Sequence, residues 1–137
     1  MSDLTEDAGR RLQQLIRDLE KDIAETSELT SCLAARRERL AGELEHKRRL
    51  AQKWRGRVMK AIEIGEDQLA RDALTYSDIY EKSSAVLEEE IQFARHNFFL
   101  LAQQISVAKL KLAHTTRLLE SVSGGEDAGR ERGHSTF

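Results

Sequence analysis

The chain has 137 residues, no proline, 5% aromatic and 34% charged residues, and a formal net charge of −2. That length admits at most one ordinary domain, and the lack of proline with so few aromatics sets the chain apart from an average globule. The near-neutral charge excludes strong overall attraction to nucleic acid or anionic membrane, the single cysteine, Cys32, excludes an intrachain disulfide, and no apolar run approaches the ~20 residues of a membrane span.

Residues 1–9, "MSDLTEDAG", are acidic and carry Leu4 as their one sizeable apolar group. They lack the basic start and apolar core of a signal peptide. They also lack the apolar face of a helix that lies on a membrane. They are expected to be disordered, and the protein to be cytoplasmic.

A first helix is predicted over residues 10–63. Apolar or small residues fall at Leu12, Ile16, Leu19, Ile23, Thr26, Thr30, Leu33, Leu40, Leu44, Ala51, Trp54, Val58 and Ala61, with Arg37 and Lys47 filling two places in the same series. The steps alternate four and three, the period of a coiled-coil seam. A bend follows at 64–67. Gly65 suits the left-handed conformation that ends helices. Glu66 and Asp67 suit the start of the next helix, where carboxylates meet the positive end of its dipole.

A second helix is predicted over 68–122, with a seam at Leu69, Ala73, Tyr76, Tyr80, Ser83, Leu87, Ile91, Ala94, Phe98, Leu101, Ile105, Ala108, Leu112, Thr115, Leu119 and Val122. The alternation slips once near Leu87, a stutter that unwinds a supercoil locally. The glycine-rich, polar residues 123–137 are expected to be a disordered tail. Folding the chain at Gly65 sets seam residues opposite one another in pairs whose numbers add to about 131: Leu12 with Leu119, Leu33 with Phe98, Leu44 with Leu87. Arg37 and Lys47 then face the small residues Ala94 and Ser83, across which a long aliphatic stem can lie. The expected fold is all-α: a long antiparallel two-helix coiled-coil hairpin with disordered ends.

Charge supports the pairing weakly, since residues 10–62 are net basic and 66–122 net acidic. Phe93, Leu100 and Val107 recur every seven residues outside the seam, with Phe99 beside them, and one hairpin cannot cover them. They are the first candidate for a contact surface. The run "HKRRLAQKWRGRVMK", residues 46–60, has no acidic residue. It makes Trp54, Arg55 and Arg57 the second candidate. Nucleic acid is not the expected partner, because the second helix offers no matching basic surface. No metal or cofactor is expected: the four histidines and lone Cys32 lack ligand spacing, no phosphate loop or nucleophile elbow occurs, and two helices alone form no catalytic pocket. The protein is not expected to be an enzyme.

Trp54, Ala61, Gly65, Glu66, Asp67, Leu69, Ala70, Arg71, Ala73 and Leu74 carry a family likeness. The stretch resembles the phage shock protein A family, which includes the vesicle-inducing protein of plastids, whose hairpin carries a tryptophan followed by a Gly/Glu-Asp-Leu-Ala-Arg-x-Ala-Leu bend. "GEDQLARDAL" differs by the extra Gln68. The resemblance implies a cytoplasmic protein, peripheral to the inner membrane through its partners, that acts in envelope stress by binding and assembling. Implied partners are an AAA+ ATPase or transcriptional activator, related coiled-coil subunits, and further copies of itself. Residues 1–9 do not supply the family's membrane-inserting helix, so direct membrane insertion is not expected. A hairpin adaptor or regulator is the first expectation; a structural coiled-coil spacer or assembly subunit, unrelated to stress, is the second.

Overall fold

The structure, a computed structural model, describes the backbone of residues 2–135 and the side chains of residues 3–124. Two helices make up nearly all of it: α1, Ser2–Glu63, and α2, Asp67–Ser135. They form the antiparallel hairpin. Nothing in either helix opposes helix formation strongly, since no proline is present and Ala, Leu, Glu, Arg and Lys are frequent. Asp3 in the first turn of α1 and Asp67 in the first turn of α2 face the helix dipoles favourably. The helices reach further than the apolar period does, back to Ser2 and on to Ser135. Thr136 and Phe137, the end of the tail expected over 123–137, lie outside the described residues, as does Met1.

The bend is built almost entirely from backbone. Gly65 has φ +73°, and no other described residue has positive φ. The Glu66 N–H donates to the Ala61 carbonyl at 2.9 Å, and the Gly65 N–H donates to that of Ile62 at 3.1 Å. This pair of bonds is the Schellman ending of a helix, and it satisfies two carbonyls that α1 would otherwise leave open. The Glu66 carbonyl then accepts from Ala70 N–H at 3.0 Å, the first bond of α2. One residue thus closes one helix and opens the next, with Asp67 at the first helical position.

Burial corrects the seam of α2. On α1, all the seam residues expected from the sequence are buried or half-buried, and the same alternation extends back to Gly9 and Thr5. On α2, Leu69 is 55% exposed and Tyr76 is 48% exposed; the inward positions are Ala70, Ser77 and Ser84 instead. With these, Ala70, Ala73, Ser77, Tyr80, Ser84, Leu87, Ile91 and Ala94 alternate three and four without a break, and the series runs on to Val122. There is no stutter near Leu87. Side-chain size is a poor guide here: Leu69 and Tyr76 are large and apolar yet lie outside, while the buried places near the bend are held by alanine and serine, whose polar hydroxyl can be satisfied locally. Ser84 Oγ donates to the Tyr80 carbonyl at 2.8 Å.

Contacts gather into two compact units, Ser31–Phe99 and Met1–Thr30 with Leu100–Phe137. In the first, the corrected register makes every seam pair add to 131, from Ala61 with Ala70 to Leu33 with Phe98. Large residues meet small ones: Trp54 opposes Ser77, Tyr80 opposes Ala51, and Arg37 opposes Ala94. The seam cations are half-buried and lie beside aromatic rings. The Arg37 guanidinium lies 5.5 Å from the centre of the Phe98 ring and Lys47 Nζ lies 5.5 Å from that of Tyr80, a favourable placement of charge over a π face. In the second unit, Thr26, Ile23, Leu19, Ile16 and Leu12 pair by the same sum with Ile105, Ala108, Leu112, Thr115 and Leu119, and Thr115 is buried with its hydroxyl donating to Lys111 O at 2.7 Å.

Candidate interaction surface

The two flanks of the seam in the Ser31–Phe99 unit differ in chemistry. One is polar. Arg48 pairs with Glu88 and Arg55 with Glu81 across the helices, and these residues line shallow grooves with Ala51, Gln52, Ser84 and Ala85. All four charged side chains are about half exposed, so each pair contributes at most about 0.5 kcal/mol after solvent screening. Arg55, proposed from the sequence as a partner-binding residue, is therefore already paired within the hairpin.

The opposite flank is apolar on α2 and cationic on α1. Near the bend, Trp54 stacks on Tyr76 with ring centroids 4.6 Å apart and planes 25° apart. The Arg57 guanidinium sits 4.3 Å from the centre of the Trp54 ring. These three, with Lys60, Ile64, Leu69 and Asp72, line a groove of about 500 Å³. Its apolar lining is open to solvent: Ile64 is 70% exposed. A second groove, of about 370 Å³, is lined by Leu33, Arg36, Glu89, Glu90, Phe93 and Asn97. Phe93, at 68%, is among the most exposed large apolar residues of the chain.

Between the grooves the sequence reading missed two residues. Ile79 and Val86 are exposed, and they stand fourteen and seven places before Phe93, in the heptad place just before the seam residues Tyr80, Leu87 and Ala94. Extending the seven-residue spacing backward from Phe93 reveals them in the sequence itself. Phe99 does not join this row. At 100° per residue, six residues carry it about 120° around α2 from Phe93, onto the side shared with Ala85 and Gln92. It is exposed, but apart from the row. Leu100 and Val107 belong to the other unit, where both are exposed, as are Leu110 and Leu118.

Of the bend residues, Ile64 and Leu69 line this surface and the others stand apart from it. Ala70 is buried in the seam, Glu66 joins the two helices through its backbone, and Arg71 is exposed. Among the described residues, no group of three or more His, Cys, Asp or Glu could hold a metal ion, and no helix is long and apolar enough to cross a membrane.

Fold and flank together define a coiled-coil hairpin with one polar flank and one flank of exposed apolar residues. A sequence model of the PspA/IM30 family matches residues 1–123. The chain is 26% identical over 113 residues to the membrane-associated protein Vipp1 of Synechocystis sp. (strain ATCC 27184 / PCC 6803 / Kazusa), an alignment covering 77% of this chain and 42% of that protein. The chain belongs to the PspA/IM30 family, as the Trp54-to-Leu74 stretch indicated. It spans less than half the length of the relative it matches.

Proposed function

We propose that this protein is a non-enzymatic coiled-coil adaptor or regulator that serves membrane maintenance under envelope stress by binding other proteins. The observation that carries this reading is the asymmetry of the hairpin. One flank satisfies its own charges through Arg48–Glu88 and Arg55–Glu81, while the other leaves Tyr76, Ile79, Val86 and Phe93 exposed beside unpaired-looking grooves of docking size. A surface of this kind is recognised by a partner and has no evident use in catalysis. The family supplies the membrane: the relative's own name describes it as membrane-associated. In this chain, membrane association is proposed to be peripheral and to run through a partner, an AAA+ ATPase, a transcriptional activator or a related coiled-coil subunit.

Fractionation tests the reading. After a protonophore challenge, the protein should move into the membrane pellet and be released by alkaline carbonate. A Trp54→Ala, Phe93→Ser variant should stay in the supernatant while melting as a folded helix. A protein that never leaves the supernatant under stress would contradict the proposal. A second reading, a plain spacer, draws on the unbroken heptads of both helices. It requires that the grooves be dispensable, so the same variant would then behave as wild type.

A further inference from the structure

We infer that the apolar flank of the Ser31–Phe99 unit binds a single amphipathic α-helix with acidic margins, laid lengthwise along α2. The inference rests on the adaptor reading and specifies the chemistry of its partner.

Shape identifies the occupant as a helix. Ile79, Val86 and Phe93 share the heptad period of the buried seam, so the row stays in phase with the supercoil. Only another helix of the same period can follow it for its whole length. An extended peptide repeats every two residues and falls out of step. The row is framed by two grooves, at Tyr76 and at Phe93. These residues are seventeen places apart, or about 26 Å along the helix, so the occupant needs about five turns. Grooves at both ends offer receptacles for its anchor side chains, the usual arrangement of helix-in-groove recognition.

Charge identifies its margins. The α1 border of the flank carries Arg36, Arg39, Lys53, Arg57 and Lys60, all exposed, against Glu43. Each groove joins cations from this border to apolar residues of α2, Arg57 and Lys60 with Leu69 and Tyr76, Arg36 with Phe93, while Asp72, Glu89 and Glu90 stand on the α2 side; the acidic margin of the occupant is therefore the one that faces α1. A helix carrying Glu or Asp beside its apolar stripe meets this border favourably. A second copy offering the same face brings the same five cations with it. A bilayer is excluded by shape, since a flat surface does not track a supercoiled row.

The test uses the full chain and two fluorescent three-heptad peptides with identical leucine stripes, one flanked by glutamate and the other by lysine. Anisotropy at low salt should show the glutamate peptide binding about tenfold more tightly than its twin, with the gap closing in high salt. Ile79→Ser, Val86→Ser, Phe93→Ser together should weaken binding by about tenfold or more, with the helical melt little changed. Lys53→Glu with Lys60→Glu should invert the preference toward the lysine peptide, a result that misfolding cannot imitate. Equal affinity for the twins, or undiminished binding by the triple variant, overturns the inference. So does sedimentation of the chain as a dimer that the triple variant dissolves and the peptide does not displace, which assigns the row to a second copy. Capture by phosphatidylglycerol vesicles that the peptide cannot compete assigns it to lipid and likewise overturns the inference. A chain that ignores both peptides yet still moves to the membrane fraction under stress keeps the adaptor reading and loses this one.

Discussion

Trp54 and Tyr76 stack across the hairpin although they hold unlike places in it. Trp54 is a seam residue and half-buried; Tyr76 is a flank residue and 48% exposed. Their rings lie 4.6 Å apart, while the buried seam residue opposite Trp54 is the small Ser77. Trp54→Ala should lower stability by about 2 kcal/mol, below the 3–5 kcal/mol of a fully buried aromatic. Trp54→Ala and Tyr76→Ala, singly and together, should show a coupling of about 1 kcal/mol in urea melts. Simple additivity would mean the stack contributes nothing beyond burial.

At the bend, Gly65 has open space around it: a Cβ there would meet nothing within 4 Å. Its left-handed conformation alone resists substitution. Gly65→Ala should therefore cost about 1 kcal/mol in equilibrium unfolding, and Gly65→Asn distinctly less. Equal losses for both would point to a steric cause that the structure does not contain.

The corrected register is open to a direct chemical check. In a Cys32→Ser background, cysteines at Lys47 and Ser84 share a seam layer, whereas Lys47 and Ser83 do not. The first pair should oxidise faster and within one chain, as read from mobility on a non-reducing gel. Faster closure by the Ser83 pair would restore the stutter.

Arg37 and Lys47 occupy the seam above aromatic rings, where leucine would pack better. Arg37→Leu with Lys47→Leu should raise the melting temperature. Polar seam residues specify register and partner at some cost in stability. In a parallel dimer of α1, each cation would meet its own copy. Their removal should thus add an intermolecular species to light-scattering profiles. A more stable protein that remains wholly monomeric would show that the cations have no such role.

The exposed ion pairs should matter little. Arg48→Ala and Arg55→Ala are each expected to change stability by no more than about 0.5 kcal/mol, with the small effect vanishing in high salt. Losses several times larger would mean that the polar flank holds the helices together, contrary to the division of labour between the flanks.

Most of the fold was legible in the sequence because α1 writes its seam in residues that are unambiguously apolar. The alternation from Leu12 to Ala61 survives two basic interruptions, and all of it lies inward. The α2 seam was harder near the bend. There the inward residues are Ala70, Ser77 and Ser84, while large apolar residues, Leu69 and Tyr76, sit one place before the first two and Ser83 before the third. Hydrophobicity alone does not mark the inward face where small residues fill it. The same cause hid part of the contact face. The period alone sets Tyr76 in the seam, which disguises it as core, whereas the seven-residue spacing of Ile79 and Val86 from Phe93 is plain once the row is extended. The grooves needed coordinates, since they depend on side chains from both helices.

The unbroken heptad on each helix restricts how the length of such a hairpin can change in descent. One residue inserted in either helix turns everything beyond it by about 100°, moving a seam residue to the surface and breaking every pair further from Gly65. An insertion of seven in one helix keeps its inward face but slides it about 10 Å past its partner. Arg37 would then leave Phe98, and Lys47 would leave Tyr80. Only matched additions, seven residues on each helix at the same distance from the bend, preserve both faces and every pair. Lengths among hairpins of this design should accordingly differ by multiples of fourteen, with the gaps placed symmetrically about the glycine.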